Sequence, residues 1–159
     1  MIILGIDPGS SRLGFGVIED NNGQIKLLSY GTIENSEKEN KNKLTRIANQ
    51  LEELIKLWKP EKAGVEKIFF TKNQKTGIQV AEARGVIIHS LAKNNINIKE
   101  YRPQEIKNCL TGNIKADKKS VAKMVKYFLK IDALEGHDDA SDALAIAITR
   151  SFDKDFFRN

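Results

Sequence analysis

This chain is poor in the residues that build covalent or soft-metal frameworks. Of its 159 residues, one is cysteine and two are histidine. A lone Cys109 excludes an intramolecular disulfide framework and suits a reducing compartment. Its place in "EIKNCL", between apolar neighbours, reads as a buried and inert thiol. His89 and His137 stand alone, so no Cys or His cluster supports a zinc site; only His137 lies beside acidic residues. No apolar run approaches the ~18 residues of a membrane span, and the first residues carry no signal-peptide pattern. Neither an internal repeat nor a low-complexity linker interrupts the chain. A cytoplasmic, membrane-free, single-domain protein over 1–159 is expected, with a flexible tail from about residue 152.

What the chain does have is charge. Thirty per cent of residues are charged, with 26 Lys+Arg against 21 Asp+Glu, a net charge of +5. That excess suits a polyanionic partner without proving one. "IILGID" and "LGFGVIED" are short strand-like runs, the second ending at an Asn21-Asn22-Gly23 hairpin signal, and "QIKLLSYGTI" gives a third strand. From Leu44 the pattern becomes Leu44, Ile47, Ala48, Leu51, Leu54, Ile55 and Trp58, an amphipathic helix stopped by Pro60. "KAGVEKIFF" reads as a fourth strand ending near Glu66, residues from Thr76 to Leu91 as a second helix, and "INIKEYR" as a fifth strand. Three helical segments follow: "PQEIKNCL", "DKKSVAKMVKYFLK" and "HDDASDALAIAITRSF". Strands alternating with helices predict a mixed α/β sheet, and the element order resembles the ribonuclease H architecture, three antiparallel strands followed by two parallel ones.

Carboxylates mark the ends of three core elements. Asp7 closes the first strand before a Pro8-Gly9 turn, Glu66 closes the fourth, and Asp139 and Asp142 share one face of the last helix at i, i+3. Turn chemistry accounts for Asp7 taken alone, and Asp138 reads as a helix N-cap. Capping does not explain Asp142, which sits deeper in an increasingly apolar helix. Clustered carboxylates repel unless cations compensate, and hard oxygen donors suit Mg²⁺ or Mn²⁺, with two ions as one arrangement for phosphodiester hydrolysis.

Together "GIDPGSSRLGFGVIE", "GVEKIFF", "EARG" and "HDDASDALAIA" closely resemble the bacterial RuvC Holliday-junction resolvases, over about residues 1 to 150. The resemblance implies a ribonuclease H-like fold. It also implies a homodimer that cuts four-way DNA junctions by paired symmetric nicks, in recombination and repair, leaving 5′-phosphate ends. It places metal ligation and catalysis on Asp7, Glu66, Asp139 and Asp142, with two Mg²⁺ (or Mn²⁺) ions. Base stacking falls on Phe69, with Phe70 as its core-facing neighbour, and contacts near the scissile phosphate fall on Lys107 and Lys118. Further DNA contacts are expected from Lys115, Lys119 and Arg84, with Lys123 adding positive charge. The pathway's branch-migration motor is an expected partner. Two departures stand out. The family's Gly-x-Gly loop is here Gly112-Asn113-Ile114, and Glu82 replaces a frequent Gln. Two other readings share some features: a YqgF-type RNA-processing nuclease, and an actin/hexokinase-type phosphate loop at Gly5 to Ser11. The latter needs two such domains and leaves Asp142 without a role.

Overall fold

The computed structural model describes residues 1–9, 12–34, 39–67, 74–136 and 138–153. Strands β1 (Ile2–Pro8), β2 (Arg12–Asn21) and β3 (Gln24–Glu34) form the antiparallel meander, and β4 (Lys62–Glu66) and β5 (Asn97–Tyr101) run parallel to β1. The sheet order is β3-β2-β1-β4-β5. Helices α1 (Asn40–Trp58) and α2 (Gln74–Lys93) connect the parallel strands, and α3 (Pro103–Thr111), α4 (Lys118–Leu129) and α5 (Asp138–Phe152) follow β5. The expected mixed sheet is therefore the observed one.

Local chemistry explains the main reversals. The β2–β3 turn has positive φ at both Asn22 and Gly23, as a type I′ hairpin requires, and the Gly23 N–H donates to the Asp20 carboxylate at 2.8 Å. Helix α1 ends where Lys59 turns left-handed ahead of Pro60. After α3, the left-handed position falls on Gly112, and the Asn113 side chain accepts the Lys115 N–H at 2.9 Å. Ile114 is exposed and carries no positive φ, so the loop closes without a second glycine.

Strand parity splits the core into two layers. Leu4, Ile6, Val17, Ala63 and Val65 pack with Ile47, Leu51, Ala83 and Ile87 of α1 and α2. Ile3 and Ile18 pack on the other face with Leu144, Ile146 and Ile148 of α5, and with α3 and α4. On that second face, glycines replace side chains beneath α5. A Cβ on Gly5 would lie 2.0 Å from the Ala143 carbonyl oxygen, and one on Gly14 would lie 2.0 Å from that of Asp139. Helix and sheet thus meet at backbone level.

Two sequence expectations need correction. Cys109 is exposed, because α3 buries Ile106 and Leu110 and leaves the cysteine at the margin of that face, its thiol toward Thr149 of α5. Asp138 is the first residue of α5 and not the cap ahead of it.

Candidate active site

Alternation along a strand decides where the first two acids point. Asp7 shares parity with Ile3 and Gly5, which face α5, while Leu4 and Ile6 face α1 and α2. Glu66 shares parity with Gly64, whose missing Cβ would meet Ile146 of α5. β1 and β4 are parallel with Ile6 opposite Val65, so Asp7 and Glu66 are neighbours at the C-terminal ends of adjacent central strands. Helix α5 begins over these ends, its Asp139 carbonyl resting on Gly14. Four acids from three chain segments therefore meet, as the sequence suggested.

Their electrostatics record the crowding. Burial, then the neighbouring Glu66, push the Asp7 carboxyl up to about 8, with Asp142 and Asp139 adding to the effect. Burial also raises Glu66, although its hydrogen bond with Asp7 opposes that shift. The two carboxyls thus share a proton. The helix acids instead draw bases: Lys118 Nζ lies 3.2 Å from Asp142 Oδ2, and Arg12 Nε lies 3.1 Å from Asp139 Oδ2. Attraction to Asp142 raises the Lys118 ammonium above its ordinary range. Among the described residues, no three acidic, His or Cys side chains are drawn together tightly enough to hold a metal as they stand. The donor set nonetheless fits a hard divalent cation: every group is a carboxylate, and the proton held by the Asp7–Glu66 pair and the bases on Asp139 and Asp142 are partners that an ion could replace.

Lys107 and Lys118 line one pocket of about 220 Å³ with Glu66 and Asp142. Their meeting follows from helix geometry: Lys118 lies near the buried Val121–Val125 side of α4, so its long side chain turns toward the acids. Lys119, one residue on, falls on the solvent face, and Lys115 is exposed in the α3–α4 loop; neither reaches the acids. Arg84 is not brought to the site. It is ion-paired with Glu100 of β5, which lies on the opposite face of the sheet with Ile98. Phe69, Phe70 and His137 lie outside the described residues. Arg12 was missed from the sequence, since nothing local links it to an acid 127 positions away. Gly9 is accounted for by the turn itself, where a Cβ would lie 2.3 Å from the Arg12 carbonyl oxygen.

A ribonuclease H-like sheet with carboxylates gathered at the ends of its central strands defines the class. The comparisons narrow it. The family model "Crossover junction endodeoxyribonuclease RuvC" matches residues 3–150. A protein of that name from Brachyspira hyodysenteriae is 47% identical over 152 residues, covering 95% of this chain and 94% of the relative. Another from Petrotoga mobilis is 44% identical over 160 residues, covering 100% and 98%. Among solved structures, Thermus thermophilus RuvC in complex with a Holliday junction substrate superposes with a TM-score of 0.89 at 30% identity, covering 96% of this chain and 93% of that one. The chain belongs to the RuvC family of crossover junction endodeoxyribonucleases.

Proposed function

We propose that this protein resolves four-way DNA junctions by hydrolysing phosphodiesters at the site formed by Asp7, Glu66, Asp139 and Asp142. The observation that carries this reading is the convergence of four acids from three segments beside a pocket also lined by Lys107 and Lys118. The four carboxylates would hold two Mg²⁺ or Mn²⁺ ions, which supply an activated water and stabilise the leaving oxygen. Lys118 and Lys107 place positive charge where the scissile phosphate carries developing negative charge. Half-buried Asp7 anchors the cluster from the strand, while α5 presents Asp139 and Asp142 from above. Phe69 remains the proposed stacking residue.

A homodimer fits paired nicks on a two-fold junction. Support comes from α2, whose outer face carries exposed Ile78, Ala81, Gly85, His89 and Ala92. An added Cβ on Gly85 would meet nothing within 4 Å, so a second helix could approach there closely. The branch-migration motor of the pathway is the proposed protein partner. The reading also takes the chain as one domain working in the cytoplasm; no described helix is long and apolar enough to cross a membrane. The family match over nearly the whole chain disfavours the RNA-processing and phosphate-loop alternatives.

The test is incubation with four-way junction, linear duplex and RNA, with and without Mg²⁺. Paired nicks confined to the junction and dependent on the cation are expected. Equal cutting of linear duplex, or cutting of RNA alone, would overturn the assignment.

A further inference from the structure

Helix α4 carries more positive charge than the active site uses. At about 100° per residue, Lys119, Lys123 and Lys126 fall within a stripe about 60° wide, and Lys130 at the C-cap continues it. The opposite face of the helix buries Val121, Val125 and Leu129. From Lys119 to Lys130 the stripe runs about 16 Å at 1.5 Å per residue, close to the rise of five base pairs at 3.4 Å each. It starts one residue from Lys118, whose ammonium touches Asp142.

Helix electrostatics explain only part of this stripe. Cations near a C-terminus are favoured by the helix dipole, which accounts for Lys126 and Lys130. The same dipole disfavours Lys119 in the first turn, where the Asp117 carboxylate at the N-cap offsets it, and it leaves mid-helix Lys123 unexplained. At the far end lies a groove of about 610 Å³ lined by Lys123, Lys126, Lys130, Gly23, Ile25 and Tyr127, among others. Tyr127 is 72% exposed despite its size. Asp132 also borders the groove, and its carbonyl oxygen accepts from Lys126 Nζ at 3.4 Å. Lysines outnumber that single acid three to one.

We propose that this face of α4 is a second DNA contact, which holds the phosphate backbone of a duplex arm as it leaves the junction. The proposal rests on the junction-resolving reading above. Lysines spaced along one helix face suit regularly repeated phosphates without reading bases, and the Tyr127 hydroxyl can donate to a phosphate oxygen. Charge complementarity selects the arm as the occupant; an acidic protein surface is the competing one.

The experiment measures junction binding by K123Q/K126Q/K130Q in Ca²⁺, across a range of salt. Removing three phosphate contacts should lower the salt slope by ~2.7, so that between 50 and 200 mM salt the variant loses roughly 40-fold less affinity than wild type. A second arm places neutral methylphosphonates on the duplex two to seven base pairs from the crossover. Wild type should bind that junction more weakly, and the triple variant should lose little more, which shows coupling between these lysines and those phosphates. Fully additive losses, or an unchanged salt slope, would overturn the arm contact; an unchanged slope is also what an acidic protein partner predicts. If wild type fails to prefer a junction over linear duplex, the resolvase reading falls too. Normal preference without coupling removes only the arm contact.

Discussion

At its C-terminal end α5 buries Arg150 completely, and at its N-terminal end it half-exposes Asp139 and Asp142. Arg150 donates to the Asn97 side chain at 3.0 Å and to the Asp153 carbonyl at 3.3 Å. The Asp153 carboxylate takes a hydrogen bond from Tyr101 at 2.8 Å and an ion pair from Lys99. Burial alone would raise Asp153, yet Lys99 and Tyr101 together hold it below the usual carboxylate range. Burial, then Asp153, push the Tyr101 hydroxyl up. The two ends use the same residue types. One end gives each acid its own donors and is a fastening. The other gathers more acid than its own bases neutralise, leaving Asp7 to hold a proton up to about pH 8. Excess charge of one sign, and not charge itself, distinguishes the reactive end.

That contrast can be broken most severely at Asp7. Asp7→Asn should reduce junction cleavage by about 10³-fold or more, the scale of losing a transition-state electrostatic contact. In chelator it should also raise the melting temperature, because a half-buried, repelled carboxyl disappears. The sign follows from linkage. Folded Asp7 keeps until about pH 8 a proton that an ordinary carboxyl releases at 3.8. Metal-free stability should therefore fall as pH rises from ~4 to ~8 and then level off. Thermal melts in chelator across that range should show the decline in wild type and a flatter profile in the variant.

At the fastened end, Arg150→Met should cost about 3 kcal/mol by leaving Asn97 and the Asp153 carbonyl without their donor. For a chain of this length that is a drop of roughly 10 °C in melting temperature, independent of metal. Cleavage below the transition should survive. A variant that melted normally but failed to cut would reverse the roles assigned to the two ends.

Gly14→Ala should have a smaller but mixed effect. Its Cβ would press on the Asp139 carbonyl, costing about 1–3 kcal/mol as overpacking does. Because the displaced turn carries two acids, cleavage should fall further than the melting temperature explains. Arg12→Gln should do least. Removing a half-exposed ion pair worth ~0.2–1 kcal/mol frees Asp139, so Mn²⁺ affinity measured by calorimetry should tighten by up to about fivefold. Weaker Mn²⁺ binding would mean that Arg12 holds Asp139 in its ligating position.

The reactive end was more legible in sequence than the fastened one, for a physical reason. Asp7, Glu66 and Asp142 break apolar patterns, so each stands out against its own neighbours. Asp139 gains meaning from Asp142 by helical spacing. The elements themselves follow from periodicity, and their order implied the sheet. Arg150, Asn97 and Asp153 carry no such local signal, since their pairing depends on β5 lying beside the end of α5. The pairing of Arg84 with Glu100 carries no local signal either, since it depends on α2 lying against β5. Consecutive lysines at 118 and 119 looked equivalent as charges, yet 100° of helical rotation sends one to the acids and the other to solvent. Cys109 is exposed against expectation because it lies about 80° around α3 from the line between the buried Ile106 and Leu110.

The contact between Gly14 and the first turn of α5 bears on how the site ages under mutation. Where helix and sheet are separated by side chains, a changed side chain is absorbed by sliding, and the two layers drift apart over many substitutions. Here no side chain lies between the β2 backbone and the Asp139 carbonyl, so the height of the acids above the sheet is set by van der Waals contact between backbones, which neighbouring side chains reach only indirectly. The apolar layer beneath α1 and α2 can be exchanged residue by residue at a cost in stability alone. The spacing of the carboxylates is inherited from the backbone and stays constant until a glycine is lost.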